Sequence, residues 1–201
     1  MKNLFLDIET TSLVPKEAQS NWETMYDKYP HIVQMAWDVP NPNPAVASLK
    51  QFIIFQEGRE IPAEASAIHG ITTEMGNDPY NTYPLGKVLE ELMYDGLQVD
   101  KMIGFNIYFD SSIIKANTIR HFGIGSKEDS TMRVVLDKSR RVDVMRKVQR
   151  YMDGKWRPLT ALYEKLFNEK YDGAHGAGAD VTALVRCCDA LVSRGIIPSL
   201  T

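Results

Sequence analysis

Residues 3–11, Asn-Leu-Phe-Leu-Asp-Ile-Glu-Thr-Thr, constrain the chain more than any other stretch, because an apolar run there delivers two acids and then two threonines. Leu4, Phe5 and Leu6 in succession read as a buried strand, and the Thr-Thr-Ser cluster at 10–12 marks where it runs into a loop. Side chains alternate across a strand, so Asp7 and Glu9 project to one face at its carboxyl end. Spacing alone is a weak signal, since a chain this long holds about three acid-x-acid pairs by chance. The context strengthens it: a buried strand is an unusual carrier for two merely solvated acids.

The remaining pattern predicts an α/β architecture. After an irregular stretch containing Pro15 and Pro30, residues 31–39 resemble a second strand, closed by the Pro-Asn-Pro-Asn-Pro turn at 40–44, and residues 50–56 make a third. Three strands with short connections suggest an antiparallel meander. Beyond Pro84, helical patterns alternate with short strands, so the sheet is expected to be mixed. Leu85, Val88, Leu89, Leu92 and Met93 recur at helical spacing, residues 102–105 form a short strand, and Phe109, Ile113, Ile114, Ala116 and Ile119 suit the next helix. Two further helices are predicted over 142–151 and 159–167. Val181, Leu184, Val185, Cys188, Leu191 and Val192 define the apolar face of a last helix, which Gly195 and Pro198 close. Residues 14–30, polar and aromatic, are expected to be an insertion or flexible loop. No internal repeat or linker divides residues 1–201, which predicts a single domain.

Composition excludes several classes. Hydrophobic residues make up 44% and charged residues 24%, which suits a folded globular chain rather than a disordered or fibrous one. The N-terminus lacks the apolar stretch of a secretory signal and no segment approaches a membrane span, so the expected compartment is cytoplasmic, with no membrane partner. Cys187 and Cys188 are adjacent, which suits neither an ordinary disulfide nor zinc spacing, and predicts reduced thiols. A net charge of −3 would not attract a polyanion, so a nucleic-acid partner needs local cations. Between Arg133 and Arg157, nine cations against three acids leave a local excess of +6, either a binding patch or a solvated helical face.

Two further acids stand at element junctions. Asp110 follows Gly104-Phe105-Asn106-Ile107-Tyr108-Phe109, where a strand breaks and a helix begins; by itself it would serve the helix dipole. Asp180 opens the last helix, five residues after His175. On a regular helix that spacing would part the two side chains by about 140°, so they meet only if the loop with Gly176 and Gly178 lets His175 curl back. A neutral imidazole there can accept a proton from an attacking water. Gathered carboxylates suit hard cations such as Mg²⁺, and phosphodiester hydrolysis uses two of them about 3.5 to 4 Å apart.

The order Asp7-x-Glu9, Asn106-x-x-x-Asp110 and His175-x-x-x-x-Asp180, with Ile68-His69-Gly70-Ile71-Thr72 between them, resembles the DnaQ-like exonucleases of the DEDDh group, over residues 4 to 192. The resemblance implies an RNase H-like three-layer fold with a mixed, mostly five-stranded central sheet flanked by helices. It also implies two Mg²⁺ or Mn²⁺ ions held by Asp7, Glu9, Asp110 and Asp180, His175 as general base, and hydrolysis from a 3′ end with release of nucleoside monophosphates. Thr10, Thr11 and Leu13 are implied beside the terminal nucleotide, with His69 and Asn106 as further residues of the cleft. Ser12 departs from the family's usual Gly, and residues 14–30 are longer than usual, which puts the cleft entrance in doubt.

The partner is thus a DNA or RNA 3′ end, with DNA favoured. An exoribonuclease of the RNase T or oligoribonuclease kind fits the same motifs, because sugar choice depends on 2′-hydroxyl contacts that motifs do not reveal. A nuclease-like module that binds without cleaving would suit a chain missing one acid, and none is missing. No further domain or long tail is visible, so a free-standing trimming enzyme or a separate proofreading subunit is expected; a polymerase or a second copy as partner is left open.

Overall fold

The structure, a computed structural model, describes residues 1–19, 21–41 and 47–200 of the 201. Strands β1 (Asn3–Thr10), β2 (Ile32–Asp38), β3 (Leu49–Ile53), β4 (Lys101–Gly104) and β5 (Arg141–Asp143) form one sheet in the order β3-β2-β1-β4-β5. The first three pair antiparallel, and β4 and β5 run parallel to β1, so the sheet is mixed as expected. The helices are α1 (Ala63–His69), α2 (Thr73–Gly76), α3 (Leu85–Leu97), α4 (Ile107–Phe122), α5 (Lys127–Val135), α6 (Val144–Lys147), α7 (Leu159–Phe167) and α8 (Ala177–Ser193).

Alternation along β1 builds the three layers. Leu4, Leu6 and Ile8 face one core with Leu89 and Leu92 of α3 and Ile113 and Ile114 of α4. Phe5 faces the other, with Leu162 of α7 and Val181, Leu184, Cys188 and Leu191 of α8. Each such buried aliphatic side chain contributes about 1.5–3 kcal/mol of transfer free energy, enough to fix the register of the strand. Asp7 and Glu9 continue the parity of Phe5, so both acids lie on the α8 side of the sheet.

The parallel half leaves one edge open. Phe5 is level with Ile103, and β4 stops at Gly104, so the last residues of β1 run past its parallel neighbour. The chain then turns within Phe105 and Asn106 into α4. Gly104 is needed there, because a Cβ would lie 2.8 Å from Ile107 Cδ1 and 3.3 Å from its Cα.

Several expectations are corrected. Residues 142–151 are not one helix: Arg141–Asp143 pair with Met102–Gly104 as β5, and only the single turn α6 follows. Val142 and Val144 keep a strand's period of two, which the pairing with β4 selects. Helices α1, α2 and α5 were not expected; α5 carries a legible start, Ser126-x-x-Asp129, with the Ser126 hydroxyl accepting the Asp129 N–H at 3.0 Å. Residues 14–30, apart from Ser20, which lies outside the described residues, form an irregular segment anchored by buried Val14, Ala18, Tyr29 and Pro30. Arg120 of α4 donates to the Tyr26 and Tyr29 carbonyls at 2.5 and 2.6 Å, and the Tyr29 hydroxyl donates to the Ala18 carbonyl at 2.9 Å. Most of the turn predicted at 40–44 also lies outside the described residues. Cys187 and Cys188 are buried free thiols, and burial pushes Cys187 up to about 12. Among the described residues no helix is long and apolar enough to cross a membrane.

Candidate active site

At the open edge the structure brings together acids distant in sequence. One carboxylate oxygen each from Asp7, Glu9 and Asp180 lies within 4.8 Å of the others. Oxygens on opposite sides of one Mg²⁺ are roughly 4 Å apart, so small rotations bring the three onto a common ion. Asp110, in the first turn of α4, is buried beside them and interacts electrostatically with Asp7 and Glu9, but lies outside that tight trio. Its Oδ2 is buried with no hydrogen-bond partner. An orphaned carboxylate oxygen beside three clustered carboxylates is the donor set that a hard divalent cation requires.

Burial and mutual repulsion hold the cluster away from its charged form. Asp7 is raised well above the usual carboxylate range by burial, then by Asp110, Asp180 and Glu9. Asp110 is raised by burial, with Asp143 and Glu9 adding to it. Burial and then Asp180 push Glu9 up to about 8. Burial also raises Asp180, against the opposing pull of Tyr171 and His175. Carboxylates arranged in this way gain most from a bound cation, which favours the ionised forms that burial and mutual repulsion resist.

The N-terminus of α8 sets Asp180. Gln34, cross-strand from Glu9, accepts the Ala177 N–H at 2.8 Å and so docks the first turn of α8 beside β1. A Cβ at Gly178 would fall on the Gln51 side chain of β3, so the small residues there let the helix approach the sheet. The Tyr171 hydroxyl donates to Asp180 Oδ1 at 2.8 Å and the His175 N–H donates to the same oxygen at 3.2 Å. His175, exposed, has φ of 69°, a left-handed conformation that turns the chain back on itself and sets the residue at the cavity lined by Asp7 and Asp180. The curl anticipated from Gly176 and Gly178 therefore exists, with the strain carried by His175.

The other sequence-predicted residues divide. Thr10, Leu13 and His69 line a largely apolar cavity of about 510 Å³ next to Glu9, with Ile68 and Phe109, and Leu13 is 79% exposed at its mouth. His69 Nδ1 accepts the Ile71 N–H at 3.1 Å, which leaves the proton on Nε2; that atom is buried without a hydrogen bond of normal geometry, facing the Thr10 carbonyl. Thr11 lines the same cavity, but its hydroxyl accepts the His31 N–H at 3.1 Å and so ties β1 to β2. Asn106 sits left-handed at φ 74°, its N–H donated to Asp143 Oδ1 at 3.1 Å, and its residue lines the His175 cavity.

Sequence reasoning missed Asp143, Tyr171 and Gln34. Asp143 ends β5 at the same edge, with a buried Oδ2 that also lacks a hydrogen bond and with Arg146 Nε at 3.5 Å. Of the basic stretch, Arg133 pairs with Glu23 and Asp129, Arg140 donates to the Gly96 and Val99 carbonyls, and Arg141 and Arg146 lie over the Tyr108 ring. Much of it therefore serves the fold.

No protein-family model matches the chain, and a search of curated proteins returned no match. Solved structures do match. Escherichia coli exonuclease I in complex with a dT13 oligonucleotide superposes with a TM-score of 0.69 at 16% identity, over 97% of this chain and 42% of that one. The chain thus spans about two-fifths of that protein's length. S. pombe Pop2p in its Mg²⁺- and Mn²⁺-bound form gives 0.70 at 16% identity, over 99% of this chain and 86% of that one. A 3′-exonuclease described in 3′-end-specific recognition of a histone mRNA stem-loop gives 0.64 at 12% identity, over 96% and 64%. The mixed five-stranded sheet flanked by helices is therefore the RNase H-like fold that these structures share.

Proposed function

We propose that this chain is a divalent-cation-dependent 3′-to-5′ exonuclease acting as one domain over residues 1–201, with DNA as its favoured substrate. The observation that carries the reading is the convergence of Asp7, Glu9 and Asp180 within 4.8 Å of one another, beside the orphaned Oδ2 of Asp110. The similar structures add support, since one holds a dT13 oligonucleotide and another Mg²⁺ and Mn²⁺.

In this reading Asp7, Glu9, Asp110 and Asp180 would hold two Mg²⁺ or Mn²⁺ ions. Such ions, when bound, supply Lewis acidity to the phosphate and its leaving oxygen. The chain's own residues supply the rest. Two donors fix Asp180 Oδ1, so its other oxygen is left to turn toward Asp7 and Glu9. His175, in the same cavity, takes the proton of the attacking water. The terminal nucleotide lies in the cavity next to Glu9, its base against Leu13, Ile68 and Phe109 and its sugar beside Thr10, while His69, its Nε2 turned to the Thr10 carbonyl, shapes that wall. Thr11 shapes that cavity through its backbone rather than its engaged hydroxyl. Asn106 lines the path on the other side.

The test is incubation of the protein with 5′-labelled single-stranded DNA, duplex DNA and RNA, each with Mg²⁺ or with EDTA. A ladder shortening from the 3′ end with Mg²⁺ alone, lost in Asp7→Ala while circular dichroism stays native, is the expected result. Turnover at the wild-type rate in Asp7→Ala would remove Asp7 from the site, and faster loss of the RNA would reverse the sugar preference.

A further inference from the structure

Two cavities flank the acid cluster, and only the one beside Glu9 has been assigned a nucleotide. The second, of about 350 Å³, is lined by Asp7, Asp180, His175 and Tyr171 together with Trp156 and Arg157. Trp156 is 55% exposed and, among the described residues, stacks on no other ring and accepts no cation; Arg157, exposed beside it, has neither a hydrogen bond nor an ion pair. This contrasts with Arg133, Arg140, Arg141 and Arg146, all of which have partners within the fold. The segment that carries them is anchored at both ends, by buried Val148 and Met152 before it and by Leu159, the first residue of α7, after it.

An unpartnered indole and a free guanidinium lining the same open cavity as a carboxylate cluster suit an occupant with a flat aromatic face and a negative charge. A polynucleotide whose scissile phosphate lies at the acids must leave them in two directions, the terminal nucleotide on one side and the preceding one on the other. We infer that the Trp156–Arg157 wall is the subsite for the nucleotide immediately 5′ of the scissile phosphate, with its base stacked on Trp156 and a backbone phosphate on Arg157. The inference rests on the exonuclease reading above and adds to it the position of the entering strand. Stacking on an aromatic face tolerates any base, which matches an enzyme that must advance through every sequence. Arg157 places one cation where the overall charge of −3 offers no attraction.

Two substrates separate this role from a general one. A single-stranded oligodeoxynucleotide fills both sides, whereas the p-nitrophenyl ester of thymidine 5′-monophosphate has a terminal nucleotide and a leaving group but no preceding nucleotide. Trp156→Ala should lower kcat/KM on the oligonucleotide about 10- to 100-fold, mainly through KM, a loss at least about ten times larger than any on the ester. Trp156→Phe should restore most of it. Arg157→Ala should weaken oligonucleotide binding and flatten its salt dependence by the equivalent of about one phosphate contact. Equal losses on both substrates, or no loss on the oligonucleotide, would overturn the assignment while leaving the exonuclease reading in place. A wild-type protein that cleaves neither substrate would overturn both.

Discussion

Replacing Glu9 by Gln should stabilise the metal-free protein while removing most of the stabilisation that a divalent cation gives. Burial and then Asp180 raise Glu9 from its ordinary 4.5 to about 8. Between those values the folded protein holds a proton that the unfolded chain has released. Stability is therefore full below about pH 4.5 and declines as the pH rises toward 8. Each unit is worth about 1.36 kcal/mol, so 7 − 4.5 = 2.5 units gives an upper bound of roughly 3 kcal/mol at pH 7. Water at the open cavity screens part of this, which leaves about 1–2 kcal/mol. For a chain of this size that is a rise in Tm of about 2–8 °C. The assay is thermal unfolding of both proteins in EDTA at pH 5, 7 and 8.5, repeated with Mg²⁺. In EDTA the variant should melt higher at pH 7, with its advantage shrinking toward pH 5; with Mg²⁺ the wild type should gain and the variant gain little. A variant that melts lower in EDTA at pH 7, or a difference independent of pH, would refute the view that the cluster is held together against its own repulsion.

Three other outcomes follow from particular contacts. His175→Ala should slow single-turnover hydrolysis about 10²- to 10⁴-fold with Mn²⁺ affinity unchanged by calorimetry, and equal rates would reject a role in proton transfer. Tyr171→Phe removes one of the two donors on Asp180 Oδ1, so Mn²⁺ affinity should fall about 10-fold, with the pH dependence of binding displaced upward because Asp180 loses a contact that lowers its pKa; unchanged binding would contradict this. Gly104→Ala drives a methyl group into Ile107 and should cost about 1–3 kcal/mol, read as a lower urea midpoint at constant slope, and an unchanged midpoint would show that the turn yields freely.

The acids were legible because their spacing obeys rules that survive folding. Asp7 and Glu9 share a face whatever the rest of the chain does, and Asp110 and Asp180 stand in the first turns of helices, the second of which has an apolar face at helical spacing. His175 required a left-handed turn, and the neighbouring glycines announced freedom without saying which residue would adopt the strained conformation. Other features lay beyond local pattern. Strand β5 is three residues long and exists through its pairing with β4, so its valines read equally well as helix. Asp143 is one of the three acids within the basic stretch, and only the pairing of β5 with β4 places it at the edge near Asp110. Gln34 meets Ala177 across 143 residues of chain, and no sequence spacing encodes such a contact. The basic stretch itself was legible only as charge: the packing decides which cations are spent on carbonyls and rings and which, like Arg157, are left to face the cavity.

Titration of the metal-free protein with Mn²⁺, followed by the electron paramagnetic resonance signal of the free ion, tests most directly whether the clustered acids form a cation site. Two ions per chain should be taken up, with both affinities reduced in Asp7→Asn. Absence of saturable binding, or uptake that Asp7→Asn leaves untouched, would contradict the account.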